Sequence, residues 1–288
     1  MRDYVLVSDS TGDLPIDVVR EIGVKIIPFS YSIGDEAYHY YLDERDDVKT
    51  FYDRLRNGDM PVTSQVNPTN YKEYFEEIVE DGKDVLYLCF SSGLSGSYQS
   101  ACLGAEMVKE EHPEAQIRVV DSISASVGEG VFVYMAAKNK ENGMTLDELG
   151  DWLEDSKRKV RHWFMVEDLF HLSRGGRLSA VGAVVGSALK IKPILSVDEE
   201  GKLVVRSKAR GTVKALDYIL SKVKEEGGEL AQLVAVIGHA DDIDKADKLK
   251  SMVIEAGMKE ENIMVAPIGP IIGTHVGAGM TAIAFIMP

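Results

Sequence analysis

Val85-Leu86-Tyr87-Leu88-Cys89-Phe90 runs directly into Ser91-Ser92-Gly93-Leu94-Ser95-Gly96-Ser97, and a helical stretch follows through about Glu110. Six consecutive apolar residues stopped by serine and glycine read as a strand buried on both faces. Strands of that kind, alternating with helices, imply a parallel sheet covered on both sides. The alternation extends outward from this stretch. Tyr4 to Val7 is a β-branched run ending in the polar turn Ser8-Asp9-Ser10-Thr11-Gly12-Asp13. Pro15 opens a helix that Gly23 ends. Val24 to Ile33 reads as one strand, Gly34-Asp35 as a turn and Ala37 to Leu42 as the partner strand. Helices are expected from Asp47 to Asn57 and from Pro68 to about Asp81. Ile117 to Asp121 is a strand, Val127 to Lys138 a mostly apolar helix, and Thr145 begins an amphipathic helix with Leu146, Leu149 and Leu153.

The pattern changes near residue 157, where Lys157, Arg158, Lys159 and Arg161 follow an acidic helix. Trp163 to Val166 is a strand, and Val181 to Leu189 reads as a small-residue helix. Ile191 to Val197 and Lys202 to Ser207 form a hairpin around Asp198-Glu199-Glu200-Gly201. A helix from Thr212, a strand from Leu233 to Ile237, a helix from Asp241, and strands near Ile263 and Ala282 complete the chain. At about 150 residues per domain, 288 residues suggest two. The expected architecture is two α/β domains, 1–160 and 161–288, the first with a mainly parallel sheet flanked by helices.

Composition narrows the function. Apolar residues make up 45% and charged residues 27%, the balance of a folded globular protein. The net charge of −15 argues against nucleic acid or an anionic membrane as partner. The longest apolar stretches, such as Ala278 to Pro288, fall short of the roughly 20 residues of a spanning helix. No signal peptide opens the chain, and Cys89 and Cys102 make no disulfide framework, so a reduced cytoplasmic protein is expected. Charge is uneven. Residues 157–215 hold 13 basic and 5 acidic side chains, a net of +8, which leaves −23 for the rest. That segment is either a solvated basic face or a local site for a phosphate or acidic partner.

Several constellations could carry chemistry. The serine loop enters a helix at the carboxyl end of a strand, where ligands settle in open α/β sheets and where free N–H groups favour an anion. Helix capping explains the same serines. Thr63-Ser64-Gln65 is a second hydroxyl cluster in a loop. Arg174-Gly175-Gly176-Arg177 could aim two guanidinium groups at one anion, or be a charged surface turn. Lys208-Ala209-Arg210-Gly211 repeats the theme. His275 stands among Gly269, Gly273, Gly277 and Gly279, glycines that let something approach the backbone closely. Gly82-Lys83 and Gly201-Lys202 lack a P-loop pattern, the six histidines show no metal-ligand spacing, and Gly93-Leu94-Ser95-Gly96-Ser97 misses the nucleophile elbow at its fifth position.

In series, Asp9-Ser10-Thr11, Thr63-Ser64-Gln65, Ser91-Ser92-Gly93-Leu94-Ser95-Gly96, Arg174-Gly175-Gly176-Arg177, Lys190-Ile191-Lys192-Pro193-Ile194 and Gly273-Thr274-His275-Val276-Gly277 resemble the DegV family, the fatty-acid-binding proteins that serve bacterial fatty acid kinases. The resemblance implies two α/β domains with a long-chain fatty acid between them and no other cofactor. It implies that Thr63, Ser95 and His275 bind the carboxylate. It links Arg174 and Arg210 to the phosphorylated state or to the ATP-dependent kinase partner. This chain departs from the family at Val66 and Asn67, where Pro and Ser are expected, at Ser97 for Thr and at Ala278 for Pro. None removes a carboxylate donor, though loop shape could change. The competing reading is a Ser95/His275 esterase or acyltransferase, for which the sequence supplies no third orienting residue.

Overall fold

The computed structural model describes residues 3–43, 47–178 and 191–288. The first half builds β1 (Tyr4–Asp9), α1 (Ile16–Ile22), β2 (Lys25–Ile27), β3 (Phe29–Ile33), β4 (Glu36–Tyr40), α2 (Val48–Arg56), β5 (Val62–Ser64), α3 (Pro68–Glu80), β6 (Asp84–Cys89), α4 (Ser97–Glu111), β7 (Ile117–Asp121), α5 (Ser126–Glu141) and α6 (Leu146–Ser156). β6 forms as its apolar run dictates, with all six residues buried. It lies inside a parallel sheet of order β2-β1-β6-β7. Helices α3, α4 and α6 pack on that sheet. Thr145 starts α6 through a capping box with Glu148.

The expected strand from Val24 to Ile33 is two strands in two sheets. β2 ends at Ile27 on the edge of the parallel sheet. β3 begins at Phe29 and pairs antiparallel with β4 and β5 in a separate three-stranded sheet. Pro28 lies at the break. It has no N–H to give a ladder, so pairing is readily exchanged there. Thr63 and Ser64, expected in a loop, lie on β5 and pair with Tyr31 and Ser30. The pairing fixes their register beside β3.

The second half builds β8 (Val160–Met165), α7 (Phe170–Arg174), β9 (Ile191–Val197), β10 (Leu203–Arg210), α8 (Thr212–Glu226), β11 (Ala235–His239), α9 (Ile243–Glu255), β12 (Ile263–Pro267), α10 (Pro270–Val276) and β13 (Thr281–Ile286). Its six strands run β10-β9-β8-β13-β11-β12, with only β11 and β12 parallel. The strand expected from Lys202 to Ser207 continues to Arg210 past a bulge at Val205/Ser207. The helix expected at Val181 to Leu189, and Lys190, lie outside the described residues.

Alternation along β8 and β13 divides the core. Trp163, Ile283 and Phe285 pack with Leu216 and Ile219 of α8 and Leu249 of α9. Phe164, Ala282 and Ala284 join the core of the first half. α5 makes that join. It is apolar nearly all round, with ten residues buried, and it packs against β8, β11 and β13 as well as α1 and α6. α10 also crosses between the halves and packs on α2, β3 and β5. Among the described residues no helix is long and apolar enough to cross a membrane.

Candidate functional site

A cavity lies where these elements meet. Its walls are largely apolar: Phe29, Phe90, Phe164, Leu172, Ile272 and Val276 are among them. Thr63, Ser95, His275 and Arg177 line the same space, which measures about 810 Å³ with its mouth. Small-molecule sites of this type combine apolar walls with a few convergent polar groups.

Each polar group is placed by a local rule. Ser95 precedes α4, and its Oγ accepts from the Ser97 N–H at 3.2 Å and pairs with Ser97 Oγ at 2.8 Å. The N-cap of α4 is Gly96, without a side-chain bond, so Ser95 just before it holds the first helical N–H and still lines the cavity. Thr63 on β5 meets His275 on α10, Oγ1 to Nε2 at 2.8 Å. With the imidazole proton on Nε2, His275 donates to Thr63 and leaves the threonine hydroxyl hydrogen for a ligand. Burial, with Arg177 and Arg174 nearby, pushes His275 down to about 4, so it is neutral at physiological pH. Asn67 and Val66, the departures from the family pattern, keep the segment in shape. Asn67 caps α3 by accepting from the Asn70 N–H, and Val66 is buried.

The two arginines of the Arg-Gly-Gly-Arg turn differ. Arg174 ends α7 and donates to Pro61 O at 3.2 Å and Thr274 O at 3.4 Å. It thus ties the strand carrying Thr63 to the helix carrying His275. Arg177, read in the sequence as one of a pair but assigned no role of its own, is the one that lines the cavity; it donates to Leu94 O and Gly175 O, and burial lowers its pKa. Gly175 allows this packing: a Cβ there would stand 2.3 Å from His275 Nδ1. Arg210 ends β10 with an exposed side chain, and it is not among the cavity residues. The glycines near His275 admit the protein's own aromatics: a Cβ at Gly273 would fall 2.6 Å from Tyr52 Oη.

A second set of residues, also missed, supports the first. The turn from Ser8 to Asp13 is buried. Asp9 accepts from Tyr87 Oη and Phe90 N, which fixes the start of the serine loop. Asp13 accepts from Gly269 N at 2.8 Å and Ser126 Oγ at 2.7 Å, which fixes the starts of α10 and α5. Ser126, on the cavity wall, holds a left-handed backbone with φ of 54°, uncommon without glycine. Thr11 Oγ1 contacts both Asp9 Oδ1 and Glu129 Oε2. One hydroxyl hydrogen serves one acceptor, so a carboxyl must donate back. Glu129 is that acid. It has few donors, and burial holds its pKa well above the usual carboxylate range. The sequence signal was six polar or small residues directly after a buried strand.

Among the described residues, no three His, Cys, Asp or Glu side chains gather as metal ligands. Ser95 pairs with Ser97 and His275 with Thr63, which is not a nucleophile–base pair.

The family model described as "Uncharacterised protein, DegV family" matches residues 4–287. A DegV domain-containing protein of Clostridium perfringens is 37% identical over 99% of this chain and 98% of its own. The structure of a fatty-acid-binding DegV family protein from Thermus thermophilus superposes with a TM-score of 0.89 at 31% identity, covering 100% of both chains. A DegV family protein from Ruminococcus gnavus, solved with vaccenic acid, gives 0.86 at 25% identity over 98% of this chain and 99% of its own. By fold, by sequence match along nearly its whole length and by the motifs that line its cavity, this chain belongs to the DegV family.

Proposed function

We propose that the chain holds one long-chain fatty acid in the apolar cavity and presents its carboxylate to a separate ATP-dependent kinase, which forms the acyl phosphate. The observation that carries the reading is the convergence of Thr63, Ser95 and His275, from three separate segments, at one apolar cavity. Burying ~14 methylenes at roughly 0.8 kcal/mol each contributes on the order of 11 kcal/mol. Association and chain ordering take back at least about 4 kcal/mol, which leaves about 7 kcal/mol or less, near ten micromolar, before the polar contacts to the carboxylate are added. A carboxylate withdrawn from water needs donors or it takes up a proton. The hydroxyls of Thr63 and Ser95 supply them, and Arg177 adds a charged donor. His275, neutral, orients Thr63.

The division between the two domains is placed at residue 160, where the strands of the six-stranded sheet begin, and the site lies between them. The protein acts in the cytoplasm, where kinase and ATP are found. Arg174 and Arg210 are assigned to the phosphorylated state or to kinase contact, Arg174 in addition to its carbonyl bonds. The carrier reading is favoured over an esterase by the pairing of Ser95 with Ser97 in place of His275. Incubation with a long-chain fatty acid and with a chromogenic ester separates the two. The carrier binds the acid and leaves the ester intact; ester turnover lost in Ser95→Ala would establish the enzyme.

A further inference from the structure

The six-stranded sheet is split beside the cavity. β8 pairs with β13 along all six of its residues, but with β9 only at Phe164↔Leu195 and Met165↔Ile194. The first half of β8 therefore diverges from the end of β9, and a cleft of about 1,030 Å³ with its mouth fills the gap. His162 on β8 and Val197 on β9 line both this cleft and the apolar cavity. None of Thr63, Ser95, His275 or Arg177 lines the cleft, so the two spaces meet at a wall away from the carboxylate donors.

The cleft is unlike the cavity. Five cations line it, Lys157, Arg158, Arg161, Arg206 and Lys222, against three carboxylates; Lys157 pairs with Glu154, Arg161 with Glu226 and Lys222 with Glu225, which leaves Arg158 and Arg206 outside those pairs. Four of them, Lys157, Arg158, Arg161 and Arg206, belong to the basic segment singled out in the sequence, and the carboxylate site uses none of the five. Arg206 leans on Ser196 Oγ at 2.7 Å, and Lys222 lies over the Trp163 ring at 5.7 Å. At the junction His162 is 8% exposed, and its Nε2 has no hydrogen-bond partner. A polar ring at a shared wall, followed by an excess of cations, suits an oxygen-bearing group and not a methyl terminus.

We propose that the cleft between β8 and β9 is a second polar subsite, which receives a hydroxyl or carboxylate borne at the far end of an acyl chain held in the cavity. The inference rests on the reading of the cavity as an acyl site. A chain oxygenated at its end would keep one carboxylate on Thr63, Ser95 and Arg177 and place the other group past His162 among the cations. In a closed apolar tunnel the same group would be stripped of water with nothing in exchange.

The test is calorimetric titration of the full chain, freed of lipid, with hexadecanoic acid, 16-hydroxyhexadecanoic acid and hexadecanedioic acid. The dissociation constants of the two oxygenated acids are expected within about threefold of that of hexadecanoic acid, or below it. Arg206→Ala, an exposed change, should weaken hexadecanedioic acid at least tenfold and hexadecanoic acid less than twofold. His162→Phe should weaken both oxygenated acids and spare hexadecanoic acid. Hexadecanoic acid binding with the dioic acid more than a hundredfold weaker would overturn the subsite and leave the carrier reading intact, as would an equal loss for all ligands in Arg206→Ala. Failure of all three acids to bind would overturn the acyl site itself and the subsite with it.

Discussion

In the proposed carboxylate site, neutral His275 is the residue that orients Thr63. Replacing Ser95 or His275 by Ala should weaken fatty acid binding by about 1–3 kcal/mol, the cost of leaving a buried acceptor short of a donor, with the fold retained. Calorimetry checks it, and unchanged affinity in both variants would move the carboxylate elsewhere. Because His275 titrates near 4, affinity should stay nearly constant from pH 8 to pH 6. An imidazolium partner would instead strengthen binding as the pH falls. The buried acids make a separate prediction. Burial raises Asp13 from 3.8 to about 7. The native state then keeps a proton that the unfolded chain releases, so this contribution is complete below about pH 3.8 and is lost as the pH rises through 7. Asp13→Asn mimics the protonated form and should gain stability relative to the parent at pH 8 compared with pH 5, by about 2–3 kcal/mol. The depressed His162 and His275 act in the opposite direction, losing stability as the pH falls below 6.5, so the difference between variant and parent is the quantity to measure. Melting temperatures at the two pH values that differ equally would refute the assignment. Glu129→Gln, whose amide can donate to Thr11, should melt close to the parent, and Glu129→Ala several degrees lower.

Elements bring the donors together, and here the turn between α7 and the following segment matters most. Gly175→Ala would place a methyl group against His275 Nδ1 and push the ring from Thr63. Binding should weaken at least tenfold while the far-ultraviolet circular dichroism stays unchanged; retained affinity would show that α10 yields without cost. Much of this was legible beforehand. The six-residue run of β6, the helix begun by Thr145 and the hairpin around Asp198 follow from local patterns that the fold does not override. Thr63, Ser95 and His275 were legible only as separate motifs, since no local pattern says which loops meet. The break at Pro28 was missed because apolar residues continue on both sides, and the strand changes sheet without changing composition. Arg177 was passed over for Arg174 because a sequence shows two equivalent arginines, while the end of α7 turns one toward Pro61 O and leaves the other to the cavity. The Asp9 to Asp13 turn was read only as a polar turn and a motif, without a role, because its polarity gives no hint of the buried Glu129 opposite it.

At the scale of the whole molecule, two sheets are joined by one buried helix, α5, and by α10 reaching back across. A ligand between them contacts both halves, so binding should stabilise the entire chain. Saturation with ligand at 100 times its dissociation constant would add about 2.7 kcal/mol. Arg174 links the segments that carry Thr63 and His275, yet the proposed carboxylate donors lie elsewhere. Arg174→Ala is therefore expected to lower acyl phosphate formation by a cognate kinase at least tenfold, with a smaller loss of fatty acid affinity than Arg177→Ala. Equal losses of affinity and rate would place Arg174 in the carboxylate site alone. The central claim, that the cavity holds a fatty acid, is tested most directly by native mass spectrometry of the purified protein. The account predicts one fatty acid per chain, released on denaturation and reduced in Ser95→Ala and His275→Ala. A bare chain that also takes up no long-chain fatty acid when offered an excess would contradict it.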